Sequence, residues 1–192
     1  NFRMQLIKYF SKDKVFMDSI YNAFSKYIKN LLGEDILIQK LCNIMIHQHK
    51  TNDISEAHRD APENSFYEIV VWIPLVDCFK TKALYALNRR QTENMIKVLN
   101  NDLKSWENFQ QSIVKIGNPM EIPFGHALIF WSGILHGSQV NIENETRWSF
   151  NIRFKNTFTP NGMKDPFDFF RVLKFSPLTK IALQTQIKES KY

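Results

Sequence analysis

Five histidines occur in the chain, and one of them, His58, stands two residues before Asp60 in the triplet His58-Arg59-Asp60. Residues i and i+2 of an extended segment project to the same side, so this imidazole and this carboxylate can reach one ion. A second imidazole, His136, sits in Leu135-His136-Gly137-Ser138, after the apolar run 127–131 and a turn. Two histidines and one carboxylate make the facial ligand set of a non-haem Fe(II) site, which leaves coordination positions open for other ligands. Taken alone, an HxD triplet is ordinarily a loop histidine beside a solvated aspartate. The remainder of the pattern gives it weight.

Eleven residues beyond His136, Arg147 opens the segment RWSFNIRF, in which Trp148, Phe150, Ile152 and Phe154 alternate with Arg147, Ser149, Asn151 and Arg153. An amphipathic surface strand has this alternation. So does a wall that binds carboxylates, because guanidinium forks pair bidentately with them. Earlier, His47 and His49 alternate against Gln48 and Lys50. One of these pairs faces inward; ordinary strand histidines are the plain reading and a His47-x-His49 metal site the sharper one. His126 at a strand entrance, and Trp72 and Trp131, read as structural. Arg59, between two candidate ligands, points away from any ion they share.

The elements that must position these residues follow from hydrophobic periodicity. Residues 4–33 repeat apolar side chains at three- and four-residue steps, which predicts a helix ending at Gly33. Residues 35–41 read as a second helical piece, leading into the strand-like Ile44-Met45-Ile46. Short strands are predicted over 68–75, 82–87, 113–116, 127–131 and 147–154, punctuated by Pro and Gly. Between them, residues 92–110 are polar with spaced Met95, Val98, Leu99, Leu103 and Trp106, a helical insertion within a β domain. The tail 156–192 mixes turns with two helix-like stretches. The fold expected is mainly β with flanking helices, a sandwich or barrel braced at both ends.

With 192 residues, 44% of them hydrophobic, the chain suits one domain with a sizeable core. No apolar run approaches the roughly 18–20 residues of a membrane-spanning helix. Neither a leader peptide nor a disulfide framework is visible, and Cys42 and Cys78 fit no CxxC motif, so a cytoplasmic, reducing setting is expected. The 25 Lys+Arg exceed the 19 Asp+Glu by six, but the basic residues are scattered. A solvated surface accounts for them better than a nucleic-acid footprint.

The order HxD, a long gap, HGS and then Arg147 resembles the Fe(II)/2-oxoglutarate oxygenases of the phytanoyl-CoA dioxygenase-like family. Residues 70–77 (VVWIPLVD) resemble that family's strand after HxD, and Ser138 with Asn141 fits its HGS..N pattern. Residues 145–155 (ETRWSFNIRFK) and Phe158-Thr159-Pro160 resemble a branch from bacterial carbohydrate and aminoglycoside biosynthesis clusters, which includes streptomycin-biosynthesis oxygenases. The resemblance covers about residues 44–162. Two places depart from it. Phe79-Lys80-Thr81-Lys82 replaces an Asn-Gly pair, and Asn88-Arg89-Arg90-Gln91-Thr92 replaces a Pro-Gly-Ser-His turn. The substrates of relatives therefore do not carry over. Halogenating members lack the HxD carboxylate, which is present here.

The resemblance implies a double-stranded β-helix, or cupin-like jelly roll, over 43–155. Residues 1–42 would be helical support, 156–192 a C-terminal extension, and the whole of 1–192 a single oxygenase domain. It implies Fe(II) on His58, Asp60 and His136. It further implies 2-oxoglutarate chelated through its keto-acid end, its distal carboxylate on Arg147 and Ser138, with Arg153 assisting or replacing Arg147. Tyr85 and Asn88 fall on the third strand, where the family places further co-substrate contacts, although packing and turn formation explain them equally well. With O2 as oxidant, the outcome implied is oxidation, usually hydroxylation, of a small molecule such as a sugar or sugar-derived metabolite, with release of succinate and CO2. Two other readings stand beside it: a nucleic-acid dealkylating oxygenase, for which Arg147-x5-Arg153 speaks, and a catalytically silent jelly roll used for binding.

Overall fold

The computed structural model describes residues 2–102 and 106–189. It opens with α1 (Phe2–Lys12) and α2 (Lys14–Leu32). The single helix expected over 4–33 is broken at Asp13, whose carboxylate accepts the Phe16 N–H at 3.0 Å and caps α2. Gly33 ends α2 at φ +83°, in backbone space that only glycine enters without strain, and its N–H closes on the Lys29 carbonyl at 2.8 Å.

The larger sheet is antiparallel and is built around β8 (Arg147–Asn156). Strand β3 (Glu68–Pro74) pairs with one edge of β8, and β6 (Leu128–Trp131) adds beyond β3. With ten residues, β8 is long enough to take two strands end to end on its other edge. There β2 (Asn43–His47) lies opposite Asn151 to Arg147, and β1 (Ile36–Gln39) opposite Asn156 to Phe154. Strand β9 (Phe170–Lys174), between helices α5 (Pro166–Phe169) and α6 (Pro177–Glu189), pairs with β1. The smaller sheet is β5 (Asn118–Met120), β4 (Leu84–Ala86) and β7 (His136–Gly137), extended by backbone bridges from Cys78 to Ile122 and from His58 to His136. Two facing antiparallel sheets with helices outside make a jelly roll that does not close into a barrel.

Several local expectations give way to tertiary pairing. Residues 35–41, expected to be helical, form β1, because Ile36 and Ile38 on alternate positions are both fully buried once β1 pairs with β8. Residues 113–116, expected to be a strand, are the end of α4 (Trp106–Ile116), whose Phe109 and Ile113 bury one helical face. A four-residue apolar run has no period of its own. Only Leu84–Ala86 of the strand expected over 82–87 pairs, while Lys80–Lys82 is a 3-10 turn. The expected insertion is two helices, α3 (Arg89–Asp102) and α4, and Leu103 lies outside the described residues.

Three apolar clusters result. Phe150, Ile152 and Phe154 of β8 pack with Ile69, Val71, Ile36 and Ile44 beneath α1 and α2. Val70, Trp72, Cys78, Leu84 and Phe130 lie between the two sheets. Tyr85, Leu87, Met95, Phe109, Ile113 and Leu135 lie under α3 and α4. Register places Val70 opposite Arg153 and Trp72 opposite Asn151. The polar residues of β8 therefore share the inner face with Val70 and Trp72, and Arg147, Ser149, Arg153 and Lys155 are all buried. This rules out the surface-strand reading of β8. Cys42 and Cys78 are free and buried, and among the described residues no helix is long and apolar enough to cross a membrane.

Phe154 is wholly buried between β8 and α2. Replacing it by Ala is expected to destabilise the protein by about 3–5 kcal/mol, read as a lowered midpoint in urea unfolding.

Candidate metal centre

The segment that follows β2 comes back to the start of β7. There the His58 N–H donates to the His136 carbonyl at 2.9 Å, and the His136 N–H donates to the His58 carbonyl at 3.0 Å. This antiparallel bridge sets the two imidazoles side by side, with ring centroids 4.4 Å apart. Asp60, two residues on, completes a group whose ligand atoms all lie within 4.8 Å of one another. Each ring is oriented by its own backbone. His58 Nδ1 is 2.7 Å from the Glu56 carbonyl, and His136 Nδ1 is 3.0 Å from the Ile134 carbonyl. A carbonyl can only accept, so each Nδ1 carries a proton, and Nε2 is the ring nitrogen left to face an ion. Burial, and then the nearby His58, push the pKa of His136 down to about 4, so its ring is neutral at physiological pH.

Asp60 Oδ1 accepts from Arg153 Nη2 at 2.6 Å, while Asp60 Oδ2 is buried with no hydrogen-bond partner. An orphaned carboxylate oxygen in a buried site normally costs several kcal/mol, which a bound cation offsets. Two neutral nitrogen donors and one carboxylate oxygen suit Fe(II) or a similar divalent transition metal. Arg153 thus stands behind the ligand carboxylate and holds it.

Arg147 has a different setting. Its guanidinium is buried 5.7 Å above the Trp72 ring, Nη1 donates to the Lys82 carbonyl at 3.1 Å, and Nε has no partner. Among the described residues no carboxylate pairs with it. A cavity of about 270 Å³ lies against Arg147, lined also by His47, Met45, Asp53, Ser55 and Ser138. Ser138 and His136 are two residues apart, so a wall of the cavity and a metal ligand share one short stretch of chain. Ser138 is fixed to Ser55, donating its N–H to the Ser55 carbonyl at 2.7 Å and accepting the Ser55 N–H on its hydroxyl at 2.9 Å. Between His136 and Ser138 only glycine fits, because a Cβ on Gly137 would lie 2.8 Å from the Ser55 carbonyl oxygen and 2.5 Å from the Tyr85 hydroxyl.

That contact also locates Tyr85. It lies on the opposite side of β7 from His136 and Ser138, in the cluster under α3 and α4, and burial pushes its phenol up to about 12. Asn88 is exposed and caps α3. Its Oδ1 accepts the Gln91 N–H, and Gln91 Oε1 accepts the Asn88 N–H, both at 2.9 Å. Neither side chain points into the roll. Of the other residues singled out in the sequence, His47 and His49 are the inward pair, but His49 Nδ1 is held 2.8 Å from the Glu143 carbonyl. Trp131, expected in the core, is 36% exposed with its indole N–H on the Phe66 carbonyl. Arg59 lies over the Phe66 ring. Ser55 and His47 join the site without a sequence motif, since only the pairing of β2 with β8 sets His47 beside Arg147.

On the other side of residues 55–59 is an open groove of about 500 Å³, lined by His58, Arg59, Glu56, Leu99, Trp106 and Phe109 among others. The half-exposed Trp106 donates its indole N–H to Glu56 at 3.0 Å and stacks on Phe109.

No family model matches the chain, and no curated protein matches it. Solved structures do. The non-heme monooxygenase ThoJ in its nickel complex superposes with a TM-score of 0.58 at 16% identity, over 80% of this chain and 57% of its own. The non-heme alpha-ketoglutarate-dependent carbocyclase SnoK from nogalamycin biosynthesis gives 0.54 at 10% identity, over 73% of this chain and 57% of its own. HygX from Streptomyces hygroscopicus, with nickel and 2-oxoglutarate bound, gives 0.53 at 8% identity, over 77% and 68% respectively. The fold is theirs. The chain spans little more than half the length of ThoJ and SnoK.

Removing one ligand tests the centre directly. His136→Ala is expected to weaken Ni(II) or Co(II) binding by more than about a hundredfold, beyond the loss typical of an outer partner. Isothermal titration under argon reads this, and unchanged affinity would place the metal elsewhere.

Proposed function

We propose that this protein is an Fe(II)- and 2-oxoglutarate-dependent oxygenase that oxidises a small molecule. The observation that carries the reading is a buried guanidinium without a carboxylate, Arg147, facing a cavity that begins two residues from a His-Asp-His centre. A compact dicarboxylate whose keto-acid end reaches the metal satisfies both at once. The cavity is at the small end of ligand sites, which suits a molecule of a few carbons. The ThoJ, SnoK and HygX likenesses support the reaction class, and the HxD…HGS…Arg order supports the phytanoyl-CoA dioxygenase-like branch.

Iron bound to His58, Asp60 and His136 supplies the activation of O2 at the expense of the 2-oxo acid. The chain's own residues do the positioning. Arg153 holds Asp60 by Oδ1 and leaves Oδ2 for the ion. Arg147, with Ser138 beside it, takes the distal carboxylate in surroundings where charge-assisted bonds are strong. Trp72 beneath Arg147 keeps water from its lower face. Substrate enters by the groove, on the exposed side of His58. Trp106 offers a flat ring for stacking, and Glu56 and Arg59 offer partners for hydroxyls, an arrangement that fits a sugar or sugar-derived ring. Both arginines of Arg147-x5-Arg153 lie inside the roll, so they present no surface to a nucleic acid. Two buried free thiols fit a reducing, cytoplasmic setting.

Anaerobic Fe(II) and 2-oxoglutarate are expected to give a weak visible charge-transfer band with the protein and none with His136→Ala. The band should also be lost in Arg147→Met at co-substrate levels that saturate the wild type. Without ligand that same variant should be at least as stable as the wild type in thermal unfolding, because it removes an unpaired buried charge. Succinate release across nucleotide sugars, aminoglycosides and alkylated oligonucleotides then identifies the substrate class. Coupling to oligonucleotides alone would overturn the small-molecule reading.

A further inference from the structure

His47 stands directly opposite Arg147 in the pairing of β2 with β8, on the inner face of the sheet. It is only 3% exposed, yet neither Nδ1 nor Nε2 has a hydrogen bond of normal geometry. The backbone of Gln139 is near enough to favour the protonated ring. Burial first, and then the charge of Arg147, hold the ring neutral, with a pKa of about 4. A buried imidazole with both nitrogens idle costs free energy that packing alone does not return. The cavity it lines is also bounded by Arg3, Asp53, Ser55, Ser138 and Arg147, among others. A neutral imidazole carries one N–H, and no side chain lining this cavity accepts it.

We infer that His47 is a second anchor for the distal carboxylate of the co-substrate, donating one ring N–H to the oxygen that Arg147 and Ser138 leave open. The inference rests on the 2-oxoglutarate reading and extends it to a residue outside the HxD…HGS…Arg pattern. A carboxylate has two oxygens and about four lone-pair directions. Arg147 already spends one amino group on the Lys82 carbonyl, so it leaves part of that demand unmet. His47 meets it. The side chain thereby selects for dicarboxylates, since a monocarboxylic 2-oxo acid would enter the cavity with an apolar end and leave both His47 and Arg147 unpaired.

The test compares two acids that share the keto-acid end and differ at the other: 2-oxoglutarate and 2-oxobutyrate. Each is titrated calorimetrically into Ni(II)-loaded wild type, His47→Leu and His47→Gln. His47→Leu should weaken 2-oxoglutarate about ten- to a hundredfold, the usual loss for a hydrogen bond to a charged group. It should leave 2-oxobutyrate within about twofold of wild type, a margin well below that loss. His47→Gln, which keeps an N–H donor, should recover most of the affinity. The 2-oxobutyrate titration reports in each variant that the metal centre is intact, and His47→Asn, polar but too short, replaces the Leu variant if that one does not fold. Equal 2-oxoglutarate affinity in His47→Leu and wild type would overturn the role of His47 alone. Equal losses for both acids would overturn it as well, by showing a general effect on the site. Failure of the Ni(II)-loaded wild type to bind 2-oxoglutarate would overturn the co-substrate reading together with this inference.

Discussion

Everything about the site depends on a strand that is apolar toward the helices and charged toward the interior. Phe150, Ile152 and Phe154 anchor β8 against α1 and α2, which leaves Arg147, Ser149, Asn151, Arg153 and Lys155 no choice but to face the other sheet. The period of two makes this strict, because a shift of one residue would put aromatic rings in the cavity and cations under the helices. Each buried cation is then handled separately. Arg153 pairs with Asp60, Lys155 donates to the carbonyls of Asn156 and Thr159, and Arg147 is left with a single carbonyl. Burial of charge is tolerated where partners wait, and among the described residues no carboxylate pairs with Arg147.

The two arginines, six positions apart on β8, divide the work by distance. Their Cα atoms are separated by roughly 20 Å at the rise of an extended strand, so they cannot serve the same group in the same way. Arg153, expected to assist or replace Arg147, pairs its guanidinium with Asp60 in the structure, while Arg147 lines the smaller cavity.

Much of this was legible in the residues. His58, Asp60 and His136 announce themselves by type and order, and the alternation of 147–154 marks a strand with two unlike faces. Which face is inward was not legible, because a surface strand has the same pattern; the answer came from the burial of Phe154 and its neighbours. Tyr85 shows how narrow the margin is. In the three-residue β4, Leu84 and Ala86 take the inner face, and Tyr85 is turned to the helices by one step of register. The strand β1 escaped sequence reading because four residues, two of them Ile, gain their identity only on pairing with β8. His47 escaped for a related reason: its significance lies in the residue opposite, a hundred positions away along the chain.

The short segment from Ser55 to His58 has a consequence of its own. Ser55 borders both the Arg147 cavity and the open groove, its backbone is clasped by Ser138, and three residues later the same segment supplies a metal ligand. One stretch of main chain is therefore a wall common to two compartments. A side chain too large at Ser55 would intrude on both at once. Ser55 is thus the one backbone position at which the two compartments meet among the residues that line them, three residues before a metal ligand.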